Sequence, residues 1–389
     1  MINRNAANTL KKLARGYPVI AITGPRQSGK TTLARFVFKY KSYVSLEDPD
    51  QMEFANEDPR GFLDRYPDGA VLDEAQRCPL LFSYMQGVVD QKKRPGLFVL
   101  TGSQQFGLIS KITQSLAGRV GLLHLLPFSL GELKSGNIMS KNLDDMLFKG
   151  FYPPVYDRKI PPSSWYANYV FTYLERDVRQ MISVRDLSVF QRFVRMCAAR
   201  TGQLLNLSGL ANDCGITHNT ARAWLSVLEA SYIVFLLKPH YRNFGKRLIK
   251  SPRLYFYDAG LVAWLVGIND PKQMPIHAVR GALFENLVVS ELLKGRYNRG
   301  LDSNLYFWRD NTGNEIDVLI EETDTLIPIE IKSGQTVTND YFIGINKWLA
   351  IAKTGVGTPY VIYGGNESYK RSGTEVLCWR DIVKLSERI

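Results

Sequence analysis

Apolar residues follow two rhythms along this chain, and the alternation between them predicts its layers. Val19–Thr23 is an unbroken β-rich run, and Thr32–Phe38 after it repeats apolar positions at helical spacing. Ahead of both, Asn3–Arg15 reads as a short amphipathic helix with Leu10, Leu13 and Ala14 on one side. Further strands are expected at Ser42–Leu46, Ala70–Leu72 and Leu97–Thr101, with helical or turn-rich stretches between them. Strands alternating with helices imply a parallel sheet covered on both faces.

The texture changes at Pro127 and again at Gly150–Pro154, after which Ser164–Ile182 reads as helix. Helical periodicity dominates Ser188–Tyr232, and Ile233–Tyr257 turns to β-like runs rich in aromatic and basic residues. A helix at Leu283–Leu293 precedes strands at Leu305–Trp308, Glu315–Ile320 and Leu326–Lys332. The expected division is a core over 1–127, a helical lid over 128–187, a middle domain over 188–275 and a C-terminal domain over 276–389. Neither a repeat nor a low-complexity tract interrupts it.

A length of 389 residues exceeds a comfortable single core and fits such a division. Charge changes the picture more. The formal net charge is +12, which attracts polyanions, nucleic acid or an acidic membrane surface, although a merely basic enzyme fits the composition equally. Cys78, Cys197, Cys214 and Cys378 are scattered, as are the four histidines, so a structural zinc site is not expected. Reduced thiols and an N-terminus without a secretory apolar core point to the cytoplasm. The longest apolar stretches fall short of a membrane span and no basic amphipathic helix stands out, so no membrane partner is expected.

The chemistry begins at Gly24-Pro25-Arg26-Gln27-Ser28-Gly29-Lys30-Thr31, followed by Thr32, which satisfies GxxxxGK[ST]. Glycines let the backbone curl until its N–H groups face phosphate oxygens. Lys30 brings a mobile charge to the β and γ phosphates, and the Thr31 hydroxyl joins a Mg²⁺ shell. The helix that follows presents its positive end to the same anion. Gly69-Ala-Val-Leu-Asp73-Glu74 is an apolar strand ending in two carboxylates. Asp73 is expected beside the loop, holding Mg²⁺ through water, with Glu74 as the base that orients the attacking water. The loop and the strand together predict ATP binding and hydrolysis.

Leu97–Leu100 leads into Thr101-Gly-Ser103-Gln104; a strand placed between the first two would bring a hydroxyl such as that of Ser103 to the γ-phosphate. On residues alone, Arg119 in Ser115-Leu-Ala-Gly-Arg119 reads as a solvated surface arginine.

The motif series resembles a prokaryotic family of AAA+-like ATPases that carry a C-terminal domain similar to restriction-endonuclease-type folds. The matching strings are Gly24–Thr32, Leu46-Glu-Asp-Pro49, Asp73-Glu-Ala-Gln-Arg77, Leu100-Thr-Gly-Ser103, Leu116-Ala-Gly-Arg119 and Pro127-Phe-Ser-Leu-Gly-Glu132. The resemblance implies that Arg119 is an arginine finger completing a neighbouring subunit's site, and that the chain forms a homo-oligomer, plausibly a ring.

Leu207–Leu225 has a helix-turn-helix cadence: Leu210 and Ala211 on a first helix, Gly215 at the turn, Thr217 capping a second. Ala221, Leu225 and Leu228 would be buried, leaving His218, Asn219 and Arg222 outside. Lys238, His240, Tyr241, Arg242, Lys246, Arg247, Lys250 and Arg253 then make a basic β-like stretch. Helix plus basic hairpin suggests a winged helix, with DNA held mainly by the wing.

Toward the C-terminus, Glu285 sits on a helix, Asp317 follows in a strand, and Glu330-Ile-Lys332 ends another. Strand alternation puts Glu330 and Lys332 on one face. Three carboxylates could gather a Mg²⁺ whose water attacks a phosphodiester, with Lys332 positioning or deprotonating it. This resembles the PD-(D/E)XK nuclease core.

The expected fold is therefore α/β: a P-loop NTPase parallel sheet with a helical lid, a winged-helix middle segment and a restriction-endonuclease-like α/β C-terminal domain. Two functions fit. One is an ATP-hydrolysing DNA-binding protein with a metal-dependent nuclease domain; the other is an ATP-dependent switch or scaffold whose nuclease-like domain is catalytically silent and binds a partner.

Overall fold

The structure, a computed structural model, describes residues 2–102, 112, 114–174, 187–240, 250–352 and 354–389. Ser103, Tyr241, Arg242, Lys246 and Arg247 lie outside the described residues, as does the end of the helix expected to reach Ile182. The chain forms two compact units: Met1–Phe128 with Tyr297–Leu301, and Ser129–Arg296 with Asp302–Ile389. The cuts expected near 187 and 275 both fall inside the second unit.

The first unit is built on the apolar run Val19–Thr23 (β1), whose five residues are all buried. A strand apolar on both faces belongs at the centre of a covered parallel sheet. β2 (Ser42–Ser45), β3 (Ala70–Asp73), β4 (Phe98–Thr101) and β5 (Val120–His124) join it in the order β2-β3-β4-β1-β5, all parallel. Strand alternation splits the core into two layers. Ile20 and Ile22 pack with Leu10 of α1 (Ala6–Gly16) and Leu33 of α2 (Lys30–Val37). Val19 and Ala21 face Phe62 of α4 (Pro59–Asp64) and Phe82 and Met85 of α5 (Leu81–Lys92), while α3 (Pro49–Glu57) adds Ala55. The starts of α3 and α4 follow from Asp-Pro pairs: Asp48 and Asp58 accept backbone N–H bonds, and the proline occupies the first helical position.

The second unit opens with α6 (Leu130–Ser135), capped by a reciprocal Ser129–Glu132 box. Short helices α7 (Leu143–Lys149), α8 (Pro153–Asp157) and α9 (Pro162–Tyr169) follow, then α10 (Leu187–Ala199). Next come α11 (Leu207–Cys214) and α12 (His218–Ala230), and the turn between them is as expected from the residues. Gly215 takes φ 67, and Thr217 accepts the Thr220 N–H. Leu210, Ala221, Leu225 and Leu228 are buried, and His218, Asn219 and Arg222 are exposed. A two-stranded antiparallel sheet, β6 (Val234–Leu237) with β7 (Arg253–Phe256), comes next.

After α13 (Ala259–Leu265) and α14 (Arg280–Asn298), the remaining strands are β8 (Leu305–Arg309), β9 (Glu315–Glu322), β10 (Thr325–Lys332), β11 (Tyr360–Tyr363), β12 (Tyr369–Arg371) and β13 (Thr374–Cys378). They form one mixed sheet in the order β12-β13-β11-β10-β9-β8. α15 (Ile343–Ala352) covers one face through Ile345 and Trp348, and α16 (Ile382–Ser386) closes the chain. Among the described residues no helix is long and apolar enough to cross a membrane.

Candidate functional site

The loop between β1 and α2 has the backbone that its glycines allow. Gly24 has φ 145, and a Cβ there would lie 2.1 Å from the Leu125 carbonyl oxygen; Gly29 has φ 93 as it starts α2. Gln27 joins them at positive φ, so the loop curls tightly around its own centre. Lys30 is buried and donates from Nζ to the carbonyls of Gly24 at 3.0 Å and Pro25 at 2.7 Å. Ser28 is fully buried, and its Oγ has no hydrogen-bond partner. From the start of the chain, Arg4 donates to the Ser28 and Leu126 carbonyls, each at 2.6 Å, and ties the loop to the strand side. Sequence reasoning passed over Arg4, because its contacts are 24 and 122 residues away.

Sheet order brings the second motif to the first. β4 lies between β1 and β3, so Asp73, ending β3, comes within reach of Thr31 at the start of α2. Thr31 Oγ1 is 3.1 and 3.0 Å from the two Asp73 oxygens. The Thr101 hydroxyl, ending β4, also donates to Asp73, and Tyr43 of β2 donates from 2.8 Å. A buried carboxylate needs such hydrogen-bond donors. Burial first, and the bond to Asp73 next, push the Tyr43 phenol up to about 12. Thr101 stood in the polar run noticed from sequence; Tyr43 had no such signal, because only strand pairing places it opposite Val71.

Glu74 follows directly, with φ 53. That left-handed backbone is uncommon for a glutamate and marks a position held by its surroundings. Gln76 donates its side-chain amide to the Glu74 carboxylate. Arg26 and Thr32 complete the loop's named residues, and Thr32 is exposed on α2.

Arg119 is not brought to this loop within the chain. Its carbonyl accepts from Val19, at the start of β1, whereas the loop leaves the end of that five-residue strand. The separation along the strand is on the order of 13 Å. The guanidinium grips Asp90 with both arms, at 2.6 and 2.8 Å.

The C-terminal carboxylates do come together, but around cations. Arg253 of β7, expected on a DNA-facing wing, is 4% exposed and reaches Glu285 at 3.2 Å, Glu315 at 2.8 Å and Asp317 at 3.5 Å. Burial opposes its charge, and Tyr255, Asp317, Glu285 and Glu315 outweigh burial and raise its pKa. Lys332 pairs with Glu330 at 2.6 Å, and Asp317 also accepts the Ile331 N–H at 2.9 Å. Burial and then Asp317 push Glu330 up to about 8 and Glu285 up to about 7. The expected divalent-ion site at Glu285, Asp317 and Glu330 does not fit this arrangement. Among the described residues no three His, Cys, Asp or Glu side chains are grouped to hold a metal ion, and Arg253 and Lys332 pair with these carboxylates. His240, also expected on the wing, is buried against Glu321 at 3.4 Å.

The parallel sheet, the curled loop and the Thr31–Asp73 contact define a P-loop ATPase domain of the AAA type. Family profiles agree: one described as an AAA domain matches residues 16–134, and two domains of unknown function, DUF8612 and DUF4143, match 140–272 and 280–382. The chain is 30% identical over 376 residues to the uncharacterized proteins Rv2008c of Mycobacterium tuberculosis and Mb2031c of Mycobacterium bovis, covering 96% of itself and 82% of each. It belongs to one family with these proteins, and its residues 16–134 form the AAA domain. Among solved structures, the Walker-type ATPase PABY2304 of Pyrococcus abyssi superposes with a TM-score of 0.48 at 14% identity, over 68% of this chain and 96% of that one. AMPPCP-bound DnaA of Aquifex aeolicus gives 0.30 at 16% identity, over 58% and 85%.

Proposed function

We propose that the chain binds ATP with Mg²⁺ at Gly24–Thr31 and hydrolyses it to act on nucleic acid. The observation that carries this reading is the Thr31–Asp73 contact at the open end of the curled loop. A hydroxyl and a carboxylate 3.0 Å apart are the oxygen donors that a Mg²⁺ shell takes, and these two residues would hold the ion. When bound, Mg²⁺ supplies charge neutralisation on the β and γ phosphates. Lys30 leaves the loop carbonyls for those phosphates, and the N–H groups of Gln27 to Thr32 line the anion. Glu74 orients and deprotonates the attacking water. Thr101 and Tyr43 donate to Asp73, and Ser103 is assigned to the γ-phosphate.

Arg119 is assigned to a neighbouring chain's site in a homo-oligomer, since it lies away from its own. α11, α12 and the β6–β7 pair are read as a winged helix. The nucleic-acid reading, with DNA as the favoured form, rests on the chain's charge of +12.

For the C-terminal domain, a specific observation favours the catalytically silent alternative. Arg253 pairs with Glu285 and Asp317, two of the carboxylates that a nuclease would give to metal.

The test is ATP turnover, with and without DNA, for the wild type, Lys30→Ala and Glu74→Gln. Lys30→Ala should lose ATP binding, and Glu74→Gln should bind ATP and turn it over poorly. Wild-type turnover by Glu74→Gln would remove Glu74 from its role.

A further inference from the structure

The first 46 residues contain nine lysines and arginines and no aspartate or glutamate; the first carboxylate is Glu47. This segment, which holds α1, α2 and β2, therefore carries a charge of +9 against +12 for the whole chain. Part of it has internal work: Lys30 lies in the loop, and Arg4 braces it. Lys11, Lys12, Arg35 and Lys39 are exposed.

Beside α2 the surface is grooved. Thr31, Thr32, Arg35, Phe36 and Lys39 recur at helical spacing along one wall, and Tyr43 of β2 stands among the other lining residues. The groove encloses about 510 Å³. Its aromatic rings are unusually open: Phe36 is 50% exposed and Tyr43 37%, with the adjacent Tyr40 at 91%. Cations already lie over two of them, Arg35 at 4.7 Å from the Tyr43 ring centre and Lys39 at 4.9 Å from that of Tyr40. Lys41 donates to the Asp68 and Leu97 carbonyls at 2.9 and 3.0 Å, which holds its charge in place.

Exposed ring faces interleaved with cations suit one ligand class better than others. A phosphodiester strand offers anions to the cations, and unpaired bases offer π faces to the rings. A duplex hides those faces in its own stack, and an acidic peptide has none. Tyr43 also reaches into the ATP site, because its hydroxyl donates to Asp73 at 2.8 Å.

Taking the nucleic-acid reading above as its basis, we propose that this groove binds a single nucleic-acid strand. Arg35, Lys39 and Lys41 hold its phosphates, and a base stacks on Tyr43. Stacking displaces Arg35 and draws the phenol away from Asp73, freeing an acceptor oxygen of that carboxylate and raising ATP turnover.

The experiment measures anisotropy of labelled oligothymidine, and of a duplex of equal length, on the full chain, together with ATP turnover. The wild type should prefer the strand and hydrolyse ATP a few-fold faster with it. Arg35→Glu with Lys39→Glu should weaken strand binding at least ~10-fold and lower the salt slope by roughly 1.4, at about 0.7 per single-strand phosphate. Tyr43→Phe keeps the ring, so it should bind the strand within about two-fold while its turnover no longer responds. Strand binding untouched by the double charge reversal would overturn the groove and leave the nucleic-acid reading standing. Binding of neither strand nor duplex by the wild type would overturn both. Equal affinity for duplex, or displacement of the strand by polyglutamate as readily as by unlabelled strand, would overturn the single-strand assignment. A Tyr43→Phe protein that still responds would overturn the link to Asp73.

Discussion

Arg253 Nη1 lies 3.5 Å from Asp317 Oδ1. The same guanidinium binds Glu285 and Glu315, so β7, α14 and β9 are joined through one buried cation. Removing one member of such a network leaves charges buried without a partner, which costs about 3–5 kcal/mol. Arg253→Met should therefore lower stability by roughly that amount in denaturant melts. It should also create an affinity for Mn²⁺, measured by calorimetry, that the wild type lacks and that adding Asp317→Asn removes. Mn²⁺ binding by the wild type, abolished by Asp317→Asn, would restore the metal site.

The raised carboxyls of this cluster predict a pH dependence. Glu330 and Glu285 are ordinarily near 4.5 and stand at about 8 and about 7. Between those values the native state keeps protons that the unfolded chain gives up. Stability contributed by these groups is thus present below about pH 4.5 and is lost as pH rises toward about 8. Glu330→Gln, of similar shape and unable to ionise, should flatten that fall. Thermal melts of both proteins near pH 5 and near pH 8 measure it; parallel curves would mean that Glu330 does not carry the dependence.

Arg119→Ala should keep nucleotide affinity and lose turnover by as much as ~10³-fold, if it acts as arginine fingers do. Both Arg119 and its partner Asp90 face solvent, so melting should barely change. Mixing this variant with Lys30→Ala should restore part of the turnover, because intact halves of one site can then meet. Mixtures no more active than their parts would leave Arg119 as a surface residue.

The loop backbone offers a stability test. A Cβ at Gly24 would meet the Leu125 carbonyl at 2.1 Å, whereas one at Gly118 would enter open space. Both glycines have positive φ, so alanine strains each, by about 1–3 kcal/mol. Gly24→Ala adds the clash and should be the more destabilising of the two, with nucleotide binding lost as well. Chemical denaturation and a fluorescent ATP titration give the comparison, and equal costs would mean that the contact is relieved by movement.

Local pattern alone determined much of this protein. The unbroken run at Val19–Thr23, the spacing of Gly24, Gly29 and Lys30, and the acids ending Ala70–Asp73 are short-range signals, and the central strands follow them closely. Strand burial and glycine dihedrals depend on few neighbours, which makes them legible in one dimension. β5, with its half-buried alternation, and the strands from Tyr360 onward were not foreseen from the pattern. Tertiary structure decided where charges end up. Arg253 and His240 sit in a basic stretch that reads as surface, yet both turn inward, because carboxylates from elements up to 81 residues away surround them. Glu285 and Asp317 read as metal ligands only while Arg253 is out of view. Tyr43 meets Asp73 only because β2 pairs with β3 in a register that the sequence does not display. A side chain's charge is written in the chain, whereas the field around it is set by whatever the fold packs beside it.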